Sequence, residues 1–80
     1  MSNNSIIQWE YLIVRFDYFA GDLRPSSMNH EDLRKKQNLP TLYQYMNELG
    51  EKGWEAVTLN YTPAHGYGFL VFKRPKITEI

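Results

Sequence analysis

From Leu39 to Tyr61 the chain reads LPTLYQYMNELGEKGWEAVTLNY, and this stretch restricts the possible folds more than any other. Leu42, Tyr45, Met46 and Leu49 fall at i, i+3, i+4 and i+7, which lines apolar groups along one helix face. Tyr43, Gln44, Asn47, Glu48 and Glu51 then point mostly to water. Thr41 and Gln44 have the spacing of a capping box, and Pro40 prevents extension backward. No β-branched residue lies between Leu42 and Lys52, so little side-chain entropy opposes the helix. Gly50 weakens the last turn by roughly 1 kcal/mol relative to alanine. Gly50 or Gly53 supplies a left-handed C-cap, and Lys52 suits the negative end of the helix dipole.

Past Trp54 the period changes. Val57, Leu59 and Tyr61 alternate with Ala56, Thr58 and Asn60, which predicts a strand, expected here to be buried. A helix joined to a strand by so short a turn has to fold back over the sheet that the strand enters. Trp54 sits at that corner with ~150–250 Å² to bury. With Gly53, it is predicted to be a structural anchor that pins the helix end to the sheet.

Two further stretches have strand periodicity. Ile6–Tyr18 places Leu12, Val14 and Phe16 on one face and Trp9, Tyr11, Ile13 and Arg15 on the other. A strand with one solvated face should be polar there; both faces here are largely apolar, so both should be covered. Tyr67–Arg74 has Phe69 and Val71 on one face and Leu70 and Phe72 on the other, and Pro75 ends it. The turn at Thr62–Gly66 is short enough to make this strand an antiparallel hairpin partner of the preceding one. Phe19 to Asn38 has no sustained apolar period and contains Gly21, Pro25 and a charge cluster, so it reads as a long loop. Within it, residues 29–36 are a candidate short polar helix capped by Asn29, with Glu31 and Asp32 offsetting Arg34, Lys35 and Lys36.

The expected architecture is therefore α+β, a βαββ domain over residues 6–75 with a three-stranded, mainly antiparallel sheet and one helix on one face. Residues 1–5 are expected to be disordered and 76–80 to form a tail.

Eighty residues allow one domain, which at this size buries only about 60–65% of its unfolded surface. Two Trp, six Tyr and four Phe are the compensation. Cysteine is absent, which excludes disulfides and thiolate metal sites. Nine Lys and Arg balance nine Asp and Glu, so no overall field collects nucleic acid or an anionic membrane. No apolar run approaches the ~18 residues of a membrane span, and the polar MSNNS start lacks signal-peptide features. A soluble cytoplasmic protein is the expectation.

Three segments together resemble a family of short, mainly bacterial proteins, domain of unknown function 4177. They are Trp9-Glu10-Tyr11, Leu49-Gly50 with Gly53-Trp54-Glu55, and Phe72-Lys73-Arg74-Pro75. The resemblance implies a small βαββ domain and carries over no catalytic residue; the segment from Phe19 to Asn38 looks longer than such proteins usually have.

The sequence offers little to catalysis. His30 and His65 lie in separate loops, without the convergent ligands of a zinc site. Ser2, Ser5, Ser26 and Ser27 occupy polar stretches with no base beside them. Glu10 and Glu55 suit rim ion pairs with Lys73 or Arg74, and Gly50-Glu51-Lys52-Gly53 ends a helix where a phosphate loop would begin one. Neither an enzyme, a metal nor a cofactor is expected.

Binding is better supported. One helix leaves one sheet face open, and Trp9, Tyr11, Ile13, Arg15, Tyr67, Phe69, Val71 and Lys73 are its candidate residues. An apolar patch of this kind predicts a homodimer or larger homo-oligomer. Two alternatives use the same chemistry. A small anionic ligand such as a nucleotide would lie between protomers, held by Arg15 and Arg24 under the long loop. Single-stranded nucleic acid would stack on the aromatic face, against which the zero net charge argues.

Overall fold

The computed structural model describes residues 6–34 and 38–76. Six elements follow one another: β1 (Trp9–Phe19), β2 (Asp22–Met28), β3 (Glu31–Asp32), α1 (Leu42–Glu51), β4 (Glu55–Thr62) and β5 (Tyr67–Pro75). The class is α+β as expected, but the sheet has five strands, all antiparallel, in the order β3-β2-β1-β5-β4. The expected disorder of residues 1–5, the tail beyond Lys76, and Lys35 and Lys36 of the charge cluster lie outside the described residues. Lys76 itself still donates its N–H to the Gln8 carbonyl at 2.8 Å.

The two extra strands occupy the expected loop. Ala20 and Gly21, at φ 53° and 82°, turn β1 directly into β2, with Phe19 paired to Asp22. Two consecutive left-handed residues match the twist that a tight hairpin requires. Pro25 belongs to β2 because a bulge there absorbs it: Phe16 pairs with Pro25 while Arg15 pairs with Ser27. A second left-handed pair, Asn29 and His30, leads to β3 where a short helix was expected. The Asn29 side chain accepts from the Ile13 N–H at 2.8 Å, and its own N–H donates to the Ile13 carbonyl, so the ladder closes through a side chain.

The helix forms as read. Thr41 and Gln44 cap it reciprocally, and Gly53 adopts φ 90° just past the C-cap Lys52. Leu42 and Leu49 are buried against Leu12, Val14, Phe16, Leu70 and Phe72, with Tyr45 and Met46 half-buried beside them. The helix meets the sheet chiefly at β2, where Tyr45 donates its hydroxyl to the Met28 sulfur at 3.2 Å. Trp54 packs on the core edge under Arg74, whose guanidinium lies 4.2 Å from the ring centroid. Arg74 also pairs with Glu10 at 2.8 Å and donates to the Lys52 carbonyl at 2.8 Å, so the helix end is fastened to β1 and β5 together.

This placement corrects the expectation for β4. It was read as buried, yet it is an edge strand whose eight residues are all exposed. Period-two alternation gives a strand its two faces but not its neighbours, and the helix lies over the opposite half of the sheet.

Gly68 sits where β5 passes β4. A Cβ there would fall within 2.7 Å of the Phe16 ring and closer still to the Asn60 carbonyl. Gly68→Ala is therefore expected to cost about 1–3 kcal/mol by overpacking, measured as a lower midpoint in urea denaturation with an unchanged slope.

Candidate functional site

The register of β1 on β5 determines which residues share the face that α1 leaves open. Tyr11 pairs with Lys73, Ile13 with Val71, Arg15 with Phe69 and Asp17 with Tyr67. Since paired residues share a face, the eight open-face residues singled out from the sequence all come together. Tyr11 is 59% and Ile13 48% exposed, and Trp9 and Phe69 are exposed beside them.

The flanking strands differ in character. Across from Lys73, Val71, Phe69 and Tyr67, β4 presents Glu55, Thr58, Asn60 and Thr62. On the other side β2 presents Ser27 next to Arg15. The face thus has an apolar centre on the two middle strands and polar columns along its borders, the pattern found in protein interfaces.

Its cations are already engaged. Lys73 lies 4.4 Å from the Trp9 ring centroid, and Arg15 lies 4.4 Å from that of Tyr67. Tyr67 in turn meets Phe69 edge-on, with centroids 6.1 Å apart. Arg15 also forks onto Asp17, at 3.1 and 3.2 Å, and the buried Ser26 hydroxyl donates to the same carboxylate. Burial would push the Asp17 carboxyl up, but hydrogen bonds from Arg15 and Ser26 and the charges of Arg15 and Arg34 hold it below its ordinary value.

The anion-binding residues suggested by the sequence do not converge. Arg24 donates to the carbonyls of Phe19, Ala20 and Leu39 at 3.2, 3.1 and 2.9 Å, which ties the β1–β2 turn to the segment entering the helix. Arg15 is matched by Asp17, and Arg34 by Asp32 at 3.1 Å. A shallow polar depression of about 330 Å³ that includes Arg15, His30 and Arg34 therefore carries no uncompensated positive charge from its arginines. His65 lies 6.0 Å from the Tyr67 ring, centroid to centroid, at the hairpin turn.

One concavity went unnoticed in the sequence. A pocket of about 490 Å³ opens between the helix, β1 and the segment before the helix, with Leu12, Leu33 and Trp54 on its walls beside Glu48, Lys52 and Arg74. Leu33 gave no periodic signal because it follows the two-residue strand β3; it is nevertheless buried, with its N–H on the Ser26 carbonyl. Among the described residues no group of three or more His, Asp or Glu could hold a metal ion, and no helix is long and apolar enough to cross a membrane.

Fold and site together define a small α+β protein with one amphipathic sheet face uncovered. No family model matches the chain, and no curated protein or solved structure matches it either.

The lowered Asp17 pKa has a definite sign. A carboxyl depressed in the folded state stabilises the fold above its unfolded pKa of about 4, and that contribution is lost as the pH falls through the folded value. Asp17→Asn is expected to lower stability at neutral pH, with the difference from the parent shrinking progressively as the pH falls below the unfolded carboxyl value of about 4. Urea titrations across that range measure it.

Proposed function

We propose that this protein is a non-catalytic, cytoplasmic interaction module that self-associates through the open face of its sheet. The observation that carries this reading is the arrangement of that face, with Tyr11, Ile13, Phe69 and Val71 in the centre and polar columns from β4 and β2 at the sides. Stable interfaces concentrate apolar and aromatic groups centrally and leave the polar groups at a wet rim. A nucleic-acid platform fits less well. It needs free ring faces and unpaired cations, whereas Lys73 lies against Trp9 and Arg15 is shared between Tyr67 and Asp17. The resemblance to domain of unknown function 4177 belongs to the same proposal and is compatible with a module that has no catalytic residues.

Tyr11→Glu places a charge at the centre of the patch. It is expected to at least halve the mass measured by light scattering at micromolar concentration while leaving the circular dichroism spectrum unchanged. A parent protein that runs as a 9.5-kDa monomer would overturn the reading.

A second reading, a small anionic ligand, is favoured by one observation. The pocket beneath the helix falls in the size range of small-molecule sites and joins apolar walls to Lys52, with Arg74 at its edge already paired to Glu10. Its ligand would bind within one protomer rather than between two, and would combine an apolar body with one negative group. In a thermal-shift panel of nucleotides, cyclic nucleotides and short fatty acids, ligand-dependent stabilisation that Lys52→Ala abolishes is the expected result. A flat response across the panel removes this reading and leaves the first untouched.

A further inference from the structure

The open face is not the only surface without a cover. The sheet ends at β4, and no residue of that strand is buried. Pairing with β5 assigns its two sides: Ala56, Leu59 and Tyr61 lie opposite Phe72, Leu70 and Gly68, on the helix side, while Thr58, Asn60 and Thr62 lie on the open face. Val57 is the residue that a bulge inserts, and two residues before Leu59 it shares the helix side. That side is therefore apolar from Ala56 to Tyr61, yet the helix covers the other half of the sheet. Val57 is 51% and Leu59 55% exposed.

Natural sheets protect such edges with charges, proline or a covering element. Between Ala56 and Tyr61 there is no charge and no proline, and Glu55 and Pro63 lie just outside. We propose that β4 pairs antiparallel with β4 of a second copy, across a two-fold axis that passes through Leu59. Self-pairing is carried by the register. With Leu59 opposite itself, Tyr61 faces the copy's Val57 and Thr58 faces the copy's Asn60. The first is an aromatic against a β-branched residue and the second joins two hydrogen-bonding side chains, both favourable as cross-strand pairs. No two like charges meet. Residues 57–61 of each strand take part; the bulged residue Val57 closes the ladder at one end, and Pro63 lies beyond it at the other. Two sheets then become one of ten strands, with both helices on the same side, and the apolar stripes of the two copies lie side by side between them.

Leu59 lies on the helix side of the edge, away from the open face, so the two interfaces are distinguishable. Leu59→Lys charges the edge without touching the open face, and because Leu59 is exposed the variant keeps its circular dichroism spectrum. With both interfaces formed, the parent assembly exceeds a dimer. Tyr11→Glu and Leu59→Lys each lower the mass, and the double variant runs at the 9.5-kDa chain mass. The chain has no cysteine, so a single introduced thiol reports on geometry. Under mild oxidation Leu59→Cys is expected to form a covalent dimer at least tenfold faster than Tyr43→Cys, whose thiol is also exposed but sits on the helix. The proposal is overturned if Leu59→Lys leaves the mass unchanged or if the two thiols cross-link at the same rate. Either outcome would mean that β4 has another occupant or none.

Discussion

The layout of the molecule depends on a single guanidinium. Arg74, near the end of the last strand, lies on the Trp54 ring, pairs with Glu10 at the start of the first strand, and donates to the carbonyl of Lys52 at the end of the helix. Two of these partners close the end of the helix and the turn after it, and the third opens the first strand. A cation half-shielded by an aromatic face and an opposite charge is worth more than either contact in open solvent. Arg74 fastens the helix end to β1 and β5, while the helix meets the sheet chiefly at β2, away from the strand that directly follows it.

Everything exposed follows from that direction. A ten-residue helix covers about two strands, and the sheet has five. The core therefore gathers Leu12, Val14, Phe16, Leu70 and Phe72 beneath Leu42 and Leu49, and leaves both the reverse of the sheet and the β4 margin in water. In so small a domain this is a large share of the apolar surface, and the chain has no disulfide to make up the difference. The surfaces proposed for association are the same ones whose burial the monomer lacks.

Much of this was legible from periodicity and caps. The helix, its reciprocal Thr41–Gln44 cap, the two faces of β1 and the membership of the open face all follow from residue spacing. What escaped depends on local exceptions. The turn at Ala20–Gly21 lacks the asparagine that usually signals two left-handed residues, and Pro25 reads as a strand breaker unless a bulge is known to lie opposite Phe16. Asn29 looked like a helix cap because its side chain does accept a backbone N–H, but the donor is Ile13, sixteen residues earlier. Arg24 and Arg15 looked alike as anion ligands. Arg15 takes Asp17, two residues along the same strand face, and Arg24 takes two carbonyls of the hairpin turn and the distant Leu39 carbonyl, so neither is left for an anion.

Gly68 has one more effect. Because no side chain stands on β5 at that point, the ring of Tyr61 on the edge strand reaches across to Phe16, with centroids 5.6 Å apart. Phe16 is wholly buried, whereas Tyr61 belongs to the exposed margin. One aromatic contact thus joins the interior to the outermost strand. An occupant that covers Tyr61 binds the folded strand and not the unfolded chain, so its binding and folding are linked equilibria. In the proposed assembly, thermal stability depends on concentration as well as on sequence.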